Sequence, residues 1–188
     1  MTDEISLLTR LTHVLRSARV RYFVTGSIAA MYYGEARSTR DIDVAVFLRF
    51  GDVDAICEAF PEPAYYVERL AVVSALRQCS MFNVIDNATG MKIDFMCVEP
   101  TGYDDSRFNR AREVEIVPGV LGFIAAPEDV ILKKLQFFKL GASDKHLRDI
   151  ASMIKISGET FDRAYLDSWA ISLGVVDEWN ALKSRLGW

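Results

Sequence analysis

The chain has 188 residues, 51% of them apolar and 11% aromatic, with 22 Lys and Arg against 26 Asp and Glu for a net charge of −4. That length fits one ordinary domain, or a core with a small helical appendage, and the apolar share is enough for a sizeable core. The acidic balance argues against broad electrostatic binding of nucleic acid, and no uninterrupted apolar run is long enough to cross a membrane.

The start, Met1-Thr2-Asp3-Glu4, lacks the basic-then-apolar profile of a signal peptide, so a cytoplasmic protein is expected. Cys57, Cys79 and Cys97 are too widely spaced for a metal motif or a disulfide framework, and read as buried thiols of a reducing compartment.

Residues 3–18 carry Leu7, Leu8, Leu11, Val14 and Leu15 at helical spacing, which predicts an amphipathic helix. Residues 21–25 read as a strand and 27–33 as a helix, with Gly34 as its stop. A polar connection, 35–40, leads into a strand over 41–48. A short helix over 53–60 is closed by Pro61 and Pro63. A short strand at 65–67 and a helix over 68–78 follow. The apolar runs 81–85 and 91–98, joined by Asp86-Asn87-Ala88-Thr89-Gly90, predict a hairpin. Residues 113–117 and 122–124 suggest a further strand or strand pair around Pro118-Gly119.

Pro127-Glu128-Asp129 opens a helix, with proline and acids in its first turn, that runs to Gly141. Phe137, Phe138 and Leu140 are expected in its core face. Ser143-Asp144 caps the next helix, and 161–173 and 176–186 read as two more. The expected architecture is α+β: a mixed central sheet flanked by helices over 1–125, with a helical region over 126–188 packed on it as one compact unit.

Asp41 and Asp43 concentrate the chemistry. Residues two apart on a strand share a face, so these carboxylates project side by side while Ile42 and Val44 face the core. Paired carboxylates repel, and a shared divalent cation keeps both ionised. Oxygen-only ligands suit Mg²⁺. Upstream, Val24-Thr25-Gly26-Ser27 is a strand running into a Gly-Ser turn and a helix, whose backbone N–H groups and hydroxyl suit phosphate. The alternatives are a solvated acid pair and a plain strand–helix turn with Ser27 as N-cap.

These pieces in order resemble the nucleotidyltransferase superfamily that includes DNA polymerase beta, whose signature is a strand, Gly-Ser, a helix, and a strand bearing Asp-x-Asp. A third carboxylate is expected on a later neighbouring strand, and Asp94 within Lys92-Ile93-Asp94-Phe95-Met96 fits that place. Within that superfamily the chain is similar to bacterial proteins grouped with abortive-infection toxins of type IV toxin–antitoxin systems. The similarity covers about residues 20–155 and includes Phe82-Asn83, Pro127-Glu128-Asp129 through Lys134-Leu135, and Lys145 through Asp149-Ile150. Arg40 departs from the pattern, standing between the Arg-Thr-like stretch Arg37-Ser38-Thr39 and Asp41.

The resemblance implies an enzyme that moves NMP from a nucleoside triphosphate to an acceptor hydroxyl on RNA, protein or a small molecule. Asp41, Asp43 and Asp94 would be its catalytic residues and the ligands of two Mg²⁺ ions, with Mn²⁺ as substitute. Gly26, Ser27, Arg40 and Lys134 would bind the nucleotide, and a cognate antitoxin would be a partner. Lys134 as an ordinary helix lysine, and Lys145–Asp149 as a helix-supporting pair, are the plainer readings of those residues. Arg107, Arg110 and Arg112 read either as cleft arginines or as solvated ones. A different class of function, a non-catalytic nucleotide-binding regulatory or antitoxin-like protein, is the alternative.

Overall fold

The computed structural model describes residues 2–188. In chain order its elements are α1 (Thr2–Ser17), β1 (Arg21–Val24), α2 (Gly26–Tyr33), β2 (Asp41–Phe47), α3 (Val53–Ala59), β3 (Tyr65–Tyr66), α4 (Arg69–Gln78), β4 (Met81–Asp86), β5 (Lys92–Cys97), α5 (Gly102–Arg110), β6 (Arg112–Val117), β7 (Val120–Ile124), α6 (Pro127–Gly141), α7 (Asp144–Ser157), α8 (Arg163–Ser172) and α9 (Val176–Leu186). They group into two compact units: the chain up to Thr25 with Ser38–Ala125, and Gly26–Arg37 with Ala126–Trp188.

The first unit holds a seven-stranded mixed sheet of order β3-β4-β5-β2-β1-β7-β6. β2 pairs antiparallel with β1 and parallel with β5, so the strand with Asp41 and Asp43 lies inside the sheet, beside the strand with Asp94. Burial alternates around the acids: Ile42, Val44, Ile93 and Phe95 are all fully buried, while Asp41, Asp43, Lys92 and Asp94 are not. Phe95 stacks on Phe82 of β4 with ring centroids 4.6 Å apart. α1 buries Leu7, Leu8, Leu11 and Leu15, the stripe its periodicity predicts.

In the second unit, α6 carries Val130, Ile131, Leu132 and Leu135 into a helical core that also takes in Ile150, Met153 and Trp179. The acids at the start of α6 do more than suit the helix dipole. Asp129 is fully buried and accepts from the Tyr165 hydroxyl at 2.8 Å, and Glu128 accepts from the Asp162 N–H at 2.7 Å, tying α8 to α6.

Several details differ from the sequence reading. Residues 102–110 form a helix, α5, that polar composition concealed. α2 begins at Gly26, not Ser27, and Gly26 sits at φ 61°, a backbone conformation that favours glycine. Gly34 does not have a left-handed φ. A Cβ there would meet Ser152 Oγ at 2.7 Å and the Ala30 carbonyl oxygen at 2.9 Å, so the position is glycine for close approach to α7. Phe137 and Leu140 are exposed, not core, and the left-handed residue ending α6 is Ala142. The cysteines are all free: Cys97 is buried, Cys57 half-buried and Cys79 exposed. Burial pushes the Cys97 thiol up to about 12. Among the described residues, no helix is long and apolar enough to cross a membrane.

Candidate functional site

The sheet unit sets the carboxylates by register. In the parallel β2–β5 pair, Asp43 lies opposite Asp94 and Asp41 lies opposite Lys92. Opposite residues on neighbouring strands point to the same face, so all four side chains project together from a floor of buried Ile42, Ile93, Val44 and Phe95. The Thr25 N–H donates to the Asp43 carbonyl at 2.9 Å, and the Lys92 N–H to the Arg40 carbonyl at 3.0 Å, so the strand ends here are held by backbone bonds.

Lys92 joins two of the carboxylates. Its Nζ lies 3.1 Å from Asp41 Oδ1 and 3.6 Å from Asp94 Oδ2. The hydrogen bond to Asp41 holds the ammonium above the usual lysine range, against the lowering effect of burial, and Asp94 adds to it. Among the described residues, no three His, Cys, Asp or Glu side chains close on a common point as a ready metal cage. The donor set still fits a hard divalent ion: it is all oxygen, three carboxylates share one face of two adjacent strands, and two already converge on one cation. The side chain of Arg40 is exposed.

The helical unit assembles a second polar cluster. Arg37 donates through Nε and Nη2 to the two oxygens of Asp149, at 3.0 and 2.9 Å, and Nη2 also reaches Ser27 Oγ at 2.7 Å. Lys134 Nζ donates to Asp149 Oδ2 at 2.7 Å. Ser27, Lys134 and Asp149 are all buried. Burial works to raise the Asp149 pKa, but the bonds from Arg37 and Lys134 outweigh it and hold the carboxyl below the usual range. Asp149 therefore pairs with Lys134 and Arg37, while Lys145, its proposed helix partner, is exposed. Lys133 points elsewhere, its ammonium 5.9 Å from the Phe137 ring centroid. His146 stacks on Phe137, and burial lowers its pKa, with the nearby Lys134 charge adding to the effect.

Arg107 is neither a cleft arginine nor a solvated one. It is 2% exposed, bonded to Asp104 at 2.6 Å and stacked over Phe23. The residue beside these carboxylates that sequence reasoning passed over is Lys92. Its spacing from Asp94 on one strand already placed both on one face. The Arg37–Asp149 bond spans 112 residues and has no local signal in a single sequence.

No protein-family model matches the chain, and none of the curated proteins does. Solved structures match its fold. The antibiotic-resistance factor ANT(2'')-Ia, in complex with adenylyl-2''-tobramycin, superposes with a TM-score of 0.59 at 12% identity, over 98% of this chain and 99% of that one. The lincomycin-bound lincosamide antibiotic adenylyltransferase LnuA gives 0.53 at 13% identity, over 78% and 94%. An antigenic nucleotidyltransferase-like protein from Paracoccidioides brasiliensis gives 0.52 at 16% identity, over 97% and 91%. At these identities the likeness is one of fold, and the chain has the α+β nucleotidyltransferase fold with a mixed sheet and a helical C-terminal region.

Proposed function

We propose that this protein is a divalent-metal-dependent nucleotidyltransferase, transferring NMP from a nucleoside triphosphate to an acceptor hydroxyl. The observation that carries the reading is the register of β2 on β5, which puts Asp41, Asp43 and Asp94 on one face at the edge of a buried apolar floor. Asp41, Asp43 and Asp94 would hold Mg²⁺, or Mn²⁺ in its place. The ion would offset phosphate charge and make the acceptor hydroxyl easier to ionise. Asp94 is the carboxylate suited to take that hydroxyl's proton as the acceptor oxygen bonds the α-phosphorus and pyrophosphate leaves.

Gly26, Ser27, Arg40 and Lys134 are the proposed nucleotide contacts. Lys134, bonded to Asp149, is the proposed cation for the outer phosphates. Two of the fold relatives carry antibiotic acceptors in their names, which supports including small hydroxylated molecules beside RNA and protein as acceptor classes. A cognate antitoxin belongs to this proposal through the sequence resemblance alone.

The test is incubation with each α-labelled NTP, Mg²⁺, and in turn cellular RNA, cellular protein and an aminoglycoside–lincosamide panel. Label transferred to one class, with pyrophosphate released, supports the reading and names the acceptor. Mg²⁺-dependent nucleotide binding with no pyrophosphate from any mixture would favour the regulatory alternative.

A further inference from the structure

Carboxylates gathered on one sheet face repel one another unless a cation stands among them. In this chain a lysine stands there. Lys92 sits directly opposite Asp41 on the neighbouring strand and two residues before Asp94 on its own, so strand geometry alone brings its side chain to the same face as both. Its ammonium stands 3.1 Å from Asp41 Oδ1 and 3.6 Å from Asp94 Oδ2, with Ile93 fully buried beneath it.

We propose that Lys92 is a built-in competitor for the divalent cation, its ammonium held between Asp41 and Asp94 where an ion would have to displace it. The inference rests on the proposed function and deepens it, naming the residue that sets how readily the carboxylates take up metal. An ammonium and a divalent ion cannot occupy one point between two carboxylate oxygens. Even displaced, Lys92 leaves a positive charge beside the ion on a flexible four-carbon stem. Both effects act in one direction: the lysine weakens binding of a free ion. Arginine keeps the charge and therefore the competition, whereas glutamine keeps much of the stem's length and loses the charge. Lys92 is accordingly a positioning residue, acting on the metal through Asp41 and Asp94.

The experiment is titration of Mn²⁺ alone, without nucleotide, into the wild type, Lys92→Gln and Lys92→Arg, with free ion read by electron paramagnetic resonance. Circular dichroism confirms that all three are folded. Lys92→Gln should bind Mn²⁺ at least about tenfold more tightly than the wild type, and Lys92→Arg should stay within about threefold of it, an energy difference on the order of 1.4 kcal/mol for the glutamine variant. If Lys92→Gln binds no more tightly than the wild type, the competitor role is wrong while the carboxylate site stands. If Lys92→Arg tightens binding as much as Lys92→Gln, the effect is one of shape, not charge, and the proposal also falls. If none of the three binds Mn²⁺, both the Lys92 proposal and the metal reading of Asp41, Asp43 and Asp94 fall together.

Discussion

Asp43 and Asp149 show two different uses of a carboxylate. Asp43 faces Asp94 across the β2–β5 register, on the less buried face of the two strands. Asp43→Asn, and Asp41→Asn beside it, should lower pyrophosphate release by at least about 100-fold if they are the proposed metal ligands, each losing one ligand oxygen's charge while sparing the fold. Thermal unfolding should change little, since the Asp41–Lys92 pair lost in Asp41→Asn is largely exposed. Turnover near the wild-type rate in both variants would remove these residues from the site. Asp149 is instead held by Arg37 and Lys134 and is part of the fold. Lys134→Ala strips one buried partner and should destabilise by about 2 kcal/mol in urea unfolding. Its effect on triphosphate affinity is therefore to be measured where the variant is still folded, with Lys133→Ala as the neighbour expected to do little. The pH sign follows from the depressed Asp149 pKa. The stabilisation is fully present above the ordinary Asp value of about 3.9 and fades as pH falls through the lower folded value. The gap in unfolding temperature between the wild type and Asp149→Asn should thus be widest near neutrality and narrow as pH falls below about 4.

At the level of elements, legibility tracked periodicity. β5 is readable because it alternates and buries as alternation requires, β2 because two acids spaced two apart lead into a buried apolar run, and α1 because its leucines repeat at helical spacing. α5 is not. Its sequence, Gly102 to Arg110, is largely polar, and its buried face depends on Phe108 together with an arginine. Arg107 packs its stem inside, with the guanidinium 4.9 Å from the Phe23 ring centroid and 5.7 Å from that of Tyr103. No pattern of residue types announces such a use of arginine. Phe137 and Leu140 show the converse: their apolar identity predicts burial, but the exposed face of α6 carries them. The sites divide the same way: Asp41, Asp43 and Asp94 follow from strand alternation, whereas the Arg37–Asp149–Lys134 cluster needs the tertiary fold. Arg107→Ala should therefore destabilise by about 2 kcal/mol through lost packing and the lost cation–ring contacts. Arg107→Met should lose less, because it keeps the stem and removes Nε, which is buried without a hydrogen-bond partner. Urea denaturation of the two variants checks the order, and an equal or greater loss in Arg107→Met would assign the stability to charge.

Across the whole molecule, the three tryptophans, Trp169, Trp179 and Trp188, all fall in the helical unit, in the stretch where the sequence offered no motif. Trp179 is fully buried, and its indole N–H donates to Asp167 Oδ1 at 2.7 Å. Trp188 packs edge-on against it at 5.4 Å and lies under the Arg163 guanidinium at 4.2 Å. Gly158 admits this ring, since a Cβ there would stand 3.1 Å from Trp188 Nε1. Residues 161–188 thus form part of the helical core rather than a loose tail, and the role is packing. Tryptophan emission, excited selectively, consequently reports on the helical unit alone, while far-ultraviolet circular dichroism reports on both units. Trp179→Ala should lower the fluorescence-detected unfolding free energy by about 3–5 kcal/mol, the range for emptying a buried aromatic site. Trp179→Phe should lose less, because it refills most of the volume and forfeits mainly the bond to Asp167. Near wild-type stability in Trp179→Ala would mean that α9 is dispensable to the helical core. A loss in Trp179→Phe as large as in Trp179→Ala would place the stabilisation in the indole–Asp167 bond instead of the packing.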